Sequence, residues 1–151
     1  MRVARQFSVF LVNKPGVLAQ VTAALAKAKI NVTALTLVDS SEHGVLRLVC
    51  EEPERVRKTL RQAHDYFTET DVLVLELTNR PGAFAGAAEK LAAAHINITY
   101  AYCTGGARGG KTTAIFKVAD MNKALRIFES SQRAGKKERR ETVKVAPRRR
   151  Q

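Results

Sequence analysis

Along the chain the spacing of apolar positions changes period in a fixed order, and the order runs twice. Residues 7–12 form a short run of strand formers, and Val9, Phe10, Leu11 and Val12 leave neither face polar. After Asn13-Lys14-Pro15-Gly16, apolar Val17, Val21, Leu25 and Ala28 recur at helical spacing. They predict a helix over residues 15–29, with Pro15 at a first helical position where its missing N–H is not needed. Residues 31–38 read as a strand, 39–44 as a turn and 45–50 as the second strand of a hairpin. Pro53 then opens a helix with Val56, Leu60 and Ala63 on one face, and residues 66–70 form a short closing strand.

The second pass has the same order: a strand at 72–78, a helix at 81–95 and a hairpin at 97–104 and 112–118. Asp120 is a suitable N-cap for a helix carrying Ala124, Leu125 and Phe128. A weak last strand is read at 142–146. Residue identities repeat as well. Asn13-Lys14-Pro15-Gly16 returns 66 positions later as Asn79-Arg80-Pro81-Gly82, and Ile30-Asn31-Val32-Thr33 returns at the same offset as Ile96-Asn97-Ile98-Thr99. The order β-α-β-β-α-β, twice, predicts an α+β chain of two tandem ferredoxin-like units, each an antiparallel sheet with helices on one face. The units are drawn at residues 1–70 and 71–146, with a basic tail at 133–151 that overlaps the last strand. First strands that are apolar on both faces need a cover, expected from neighbouring units or a second chain, so a homodimer is expected.

An Asn-basic-Pro-Gly turn after a strand, a helix, and then an Ile-Asn-[Val/Ile] strand about fifteen residues on resembles the ACT domain. Both copies carry the pattern, and the resemblance covers residues 7–128. It implies a regulatory module of the stand-alone tandem kind, with no catalytic domain, and a protein partner in amino-acid metabolism. It also implies that a small amino acid sits between ACT units, against the turn and the start of the following strand. By position those residues are Asn13, Pro15, Gly16, Val17 and Leu18 with Asn31 and Val32. In the second copy they are Asn79, Pro81, Gly82, Ala83 and Phe84 with Asn97 and Ile98. Serine-binding members have a His two residues before the turn Asn, where this chain has Leu11 and Leu77, which weighs against serine.

The residue types suit the task. A helix N-terminus carries unpaired N–H groups and partial positive charge, which a carboxylate satisfies. Gly16 and Gly82 let a ligand approach the backbone. Each Asn offers a donor and an acceptor, and Val17, Leu18, Val32, Phe84 and Ile98 offer apolar lining. The plainer reading is a tight Pro-Gly turn whose Asn residues bond local backbone, leaving a ligand-free pairing module.

Other signals lead elsewhere. Residues 105–112, GGARGGKT, match the phosphate-loop pattern, but a β-branched run follows where that loop needs a helix, so they read as a hairpin loop. His43, His64 and His95 are too scattered for a metal motif, and no nucleophile comes with a recognisable base. No metal, cofactor or enzyme is therefore expected. Cys50 and Cys103 read as reduced thiols of a cytoplasmic protein, and no segment reads as a signal peptide or membrane span. The net charge of +12 lies largely in the tail, which carries +7. A nucleic-acid-binding regulator working through that tail is the remaining alternative, though the tail lacks aromatic residues for stacking.

Overall fold

The computed structural model describes residues 1–38, 43–64 and 66–131. In chain order it contains β1 (Arg2–Val12), α1 (Val17–Lys27), β2 (Val32–Val38), β3 (His43–Cys50), α2 (Pro53–Ala63) and β4 (Phe67–Thr78). These are followed by α3 (Ala83–Ala93), β5 (Ile98–Thr104), β6 (Lys111–Val118) and a last helix, α4, over residues 121–131. Among the described residues the strands make one six-stranded sheet in the order β2-β3-β1-β4-β6-β5, antiparallel throughout. This is the α+β architecture of two ferredoxin-like units, joined along their shared middle.

The sharing corrects the expected strands. The closing strand at 66–70 and the next unit's first strand at 72–78 are one continuous strand, β4. β1 likewise starts at Arg2, ahead of the apolar run at 7–12. The two pair from Arg2↔Val74 to Val9↔Phe67. The head of β4 therefore closes the first unit beside β1, and the head of β1 closes the second unit beside β4. Arg2 to Arg5 hold that second place. Residues 142–146, with all of the tail 133–151, lie outside the described residues, as do 39–42 of the first hairpin turn. The repeat mates Arg5 and Asp71 face each other at the centre of the register, Nη1 to Oδ1 3.4 Å. The boundary drawn at 70/71 falls inside β4.

Alternation along β1 and β4 sends Phe7, Val9 and Leu11 and then Leu73 and Leu75 to the helical face. Phe7, Val9 and Leu11 pack with Val21, Leu25, Val56 and Leu60 of α1 and α2. Leu73 and Leu75 pack with Ala87 and Leu91 of α3 and with Ala124 and Phe128 of α4. Asp120 caps α4, its Oδ1 accepting from the Lys123 N–H at 2.8 Å.

The opposite face is covered within the chain. β2 and β5, at opposite ends of the strand order, come into contact, so the sheet curls over a third cluster of Ala4, Ala34, Val49, Val72, Val74 and Ile115. Register shifts near the starts of β2 and β5 re-aim their side chains. Val32 and Ile98 join the helical cores, while Tyr100 and Tyr102 turn to the other face. There Gln6, fully buried, donates from Nε2 to the Tyr100 hydroxyl at 2.6 Å, and its Oε1 accepts from the Tyr102 hydroxyl at 3.0 Å. Of the two covers expected for the doubly apolar strands, the neighbouring unit supplies this one.

Candidate functional site

Each Asn-basic-Pro-Gly segment folds as a β-turn that ends in a helix. Gly16 has φ 87° and ψ −17°, Gly82 has φ 81° and ψ −11°, and the Val17 and Ala83 N–H groups donate back to the Lys14 and Arg80 carbonyls at 3.4 and 3.2 Å. This is a type II turn, with Pro at the second position and Gly supplying the positive φ at the third. Pro15 is therefore not the first helical residue. α1 starts at Val17 and stops at Lys27, shorter than the expected 15–29. A Cβ built on Gly16 or Gly82 meets nothing within 4 Å, so the positive φ alone calls for glycine at both places.

The helices that follow these turns are uncapped. Neither α1 nor α3 has a side-chain cap or an acidic residue in its first turn. By contrast, α2 starts on Pro53 with Glu54 beside it, and α4 has Asp120. Among the described residues, the leading N–H groups and positive end of α1 and α3 are thus left without a protein anion.

Beside the first turn lies a cavity of 190 Å³, lined by Leu11, Asn13, Lys14, Leu18, Leu37 and Val38 among others. Asn13 is exposed, and its side chain makes no hydrogen bond among the described residues. Leu18, Leu37 and Val38 are large apolar side chains that remain exposed at its mouth, with Val12 and Leu35 next to them. Of the residues implied by the resemblance, Asn13, Val17 and Leu18 line this cavity, and Pro15 and Gly16 shape it. Asn31 and Val32 do not line it. They stand past the far end of α1, whose 11 residues rise about 16 Å. There Lys29 takes a left-handed φ of 55° and the Ile30 N–H donates to the Leu25 carbonyl at 3.0 Å. The second repeated tetrapeptide is thus a helix stop with a buried Ile, matched at His95 and Ile96.

The second turn has different surroundings. The Asn79 N–H donates to the Gly110 carbonyl at 2.8 Å, its carbonyl accepts from the Gly109 N–H at 2.9 Å, and its Nδ2 donates to the Gly106 carbonyl at 2.6 Å. The glycine-rich β5–β6 loop is therefore strapped over this turn. A Cβ on Gly106 would lie 2.2 Å from the Lys111 carbonyl oxygen, so its glycine serves packing. The stretch runs into β6, not a helix, as expected for a hairpin loop. Phe84, at the place of Leu18, stacks on Phe116 with centroids 5.0 Å apart. Open space near this turn lies instead on the other flank of α3, a cavity of 280 Å³ lined by Arg80, Gly82, Ala83, Met1 and Phe128 among others. Asn79, Pro81, Phe84, Asn97 and Ile98 do not line it, and Asn97 is exposed beyond the end of α3.

Sequence reasoning missed Lys14, Leu37 and Val38 as lining. Lys14 stood within the motif itself, whereas the hairpin leucine and valine gave no sign that their edge strand flanks the turn. Among the described residues no group of three or more His, Cys, Asp or Glu could hold a metal ion, and no helix is long and apolar enough to cross a membrane.

The family model described as an ACT domain pair matches residues 1–134. Among curated proteins none matches. Protein BT0572 from Bacteroides thetaiotaomicron is similar in structure, with TM-score 0.79 and 32% identity over 86% of this chain and 89% of that one. The regulatory subunit of aspartate kinase from Thermus thermophilus, in its ligand-free form, has TM-score 0.62 and 16% identity over 86% of this chain and 97% of that one. The corresponding subunit from Thermus flavus has TM-score 0.54 and 17% identity over 85% and 91%. At such identities the last two show a shared fold.

Proposed function

The chain belongs to the ACT domain pair family, and from that premise we propose that it is a non-catalytic regulator that binds a small amino acid at its first Asn-Lys-Pro-Gly turn and thereby shifts its assembly or its contact with a partner. The observation that carries this reading is the uncapped start of α1 beside a cavity whose Asn13 side chain has no partner among the described residues. The ligand carboxylate meets the leading N–H groups of α1 and the charge of Lys14, and the ammonium meets the Asn13 side-chain carbonyl. An aliphatic side chain lies on Leu18 and Leu37.

The mouth of this cavity supports the assembly half of the reading. Val12, Leu18, Leu35, Leu37 and Val38 expose apolar surface next to an edge strand, where a second copy would enclose the ligand. A ligand held between two copies favours the paired state by its differential affinity. Likeness in fold to regulatory subunits of aspartate kinase supports a partner enzyme in amino-acid metabolism. The two free cysteines fit a reducing, cytoplasmic setting.

For the second copy, the bonds of Asn79 favour the pairing-module reading, because that Asn is already used by the glycine-rich loop. Thermal unfolding in the presence of each of the twenty amino acids tests the proposal. A true ligand at a hundred times its Kd adds about 2.7 kcal/mol, raising Tm by about 5–10 °C. Asn13→Ala abolishes most of that rise without altering the unliganded Tm. If no amino acid shifts Tm at millimolar concentration, both copies are pairing modules.

A further inference from the structure

The two repeats finish the inner face of the curled sheet differently. At one end, Tyr100 and Tyr102 reach in to Gln6, and the Arg47 guanidinium lies over the Tyr100 ring, 4.2 Å from its centroid. Their repeat mates at the other end are the shorter Ala34, Thr36 and Thr113. Thr113 lines a cavity of 240 Å³ together with Met1, Arg2, Thr33, Glu51, Val74 and Glu76.

The charges around this cavity point to a ligand. Thr33, at the β2 bulge, lines its wall. Arg2 and Glu51 carry opposite charges into the same cavity, yet neither forms an ion pair or a side-chain hydrogen bond among the described residues. Glu76, on the rim, holds Lys111 at 3.3 Å and so adds little net charge of its own. A lone anion would satisfy Arg2 and be repelled by Glu51, and a lone cation would do the reverse.

We propose that this cavity is a second small-molecule site, distinct from the turns, built for a small zwitterion with an aliphatic body. Its carboxylate pairs with Arg2 and its ammonium with Glu51, and its carbon skeleton lies on Val74. The charged groups keep contact with water, so binding is weak and depends on both pairs together.

Amide NMR on the full chain tests this with three matched probes: L-valine, isobutylamine (the same skeleton without the carboxylate) and isovalerate (the same skeleton without the ammonium). L-valine is expected to shift the amides of Arg2, Thr33, Glu51 and Thr113 saturably, with each single-charge probe binding about tenfold more weakly or worse. Glu51→Gln, at an exposed position, is expected to weaken L-valine about tenfold at these four amides. Thr113→Arg, which installs the side chain of the repeat mate Arg47, removes the response. Shifts at residues 13–18 report the turn site separately and are unchanged by either variant. The proposal is overturned by an absence of saturable shifts at the four amides, by a single-charge probe binding as tightly as L-valine, or by responses that survive both variants.

Discussion

Replacing Gln6 with Leu isolates the polar contact that holds the curled sheet closed. The amide is fully buried and donates from Nε2 to the Tyr100 hydroxyl at 2.6 Å and to Ser8 Oγ at 3.3 Å, while its Oε1 accepts from Tyr102 at 3.0 Å. Leu fills the space but leaves two tyrosine hydroxyls without that partner. Burial already pushes the Tyr102 hydroxyl pKa well above its ordinary value, so water compensates poorly there. Each stranded hydroxyl costs about 1–2 kcal/mol, offset in part by the added apolar contact, for a net loss of about 2 kcal/mol. Equilibrium urea unfolding, followed by circular dichroism, should show the midpoint fall by about 1 M with an unchanged slope. The combined change Gln6→Leu, Tyr100→Phe, Tyr102→Phe removes Gln6 and both tyrosine hydroxyls, leaving only the longer Ser8 contact unreplaced, and should return to within about 1 kcal/mol of the parent. A neutral Gln6→Leu, or a triple variant no more stable than the single one, would refute the reasoning.

Three further outcomes follow from other contacts. Hydrogen bonds from Arg57, at 2.6 and 2.7 Å, hold the Glu69 carboxyl below its ordinary pKa, so the stability it provides is complete above the ordinary Glu range and lost as pH falls through the depressed value. Arg57→Met should flatten the urea midpoint against pH in that acid window, and an unchanged slope would remove the pair from the account. Burial pushes the Cys50 thiol up to about 11 while Cys103 is exposed, so a thiol reagent near neutral pH should modify Cys103 alone in the native chain and both thiols in urea. Asn79→Ala should lower stability by about 1–2 kcal/mol by removing the side-chain bond to the Gly106 carbonyl, whereas Asn13→Ala should change it by less than about 0.5 kcal/mol; equal effects would mean the two turns are held alike.

The fold was legible because the repeat and the two periodicities agree at every level, from Val17, Val21 and Leu25 on one helix face to the Asp120 cap. Boundaries were less so. Pro15 suits both the first helical position and the second position of a type II turn, since both need a φ near −65°. Gly16, with its φ of 87°, decides between them, and the Pro-Gly pair was the available signal. The strand exchange was hidden because polar Thr68, Glu69, Thr70 and Asp71 interrupt the apolar pattern of β4 and read as a break. Of the proposed site, Asn13 and its turn could be named from the motif. That Asn79 is occupied could not, because its partners come from a loop 27 residues away, whose geometry depends on tertiary contact.

The sharing of β1 and β4 also bears on why near-identical turns differ. Each turn follows directly on the end of a shared strand, so the exchange places both by the same backbone rule and fixes them symmetrically. What surrounds a turn comes from residues outside that symmetric centre. The β5–β6 loop closes over the second turn, and Phe84 stacks on Phe116 where the first unit has Leu18 and Cys50. At the head of β1, Met1 occupies the place that Phe67 holds beside Phe7, and the cavity on the flank of α3 opens there. These side chains can change without disturbing the strand register, because that register is set by backbone pairing through Arg5 and Asp71. Symmetry in this chain therefore constrains the architecture and leaves the chemistry of each cavity free to diverge.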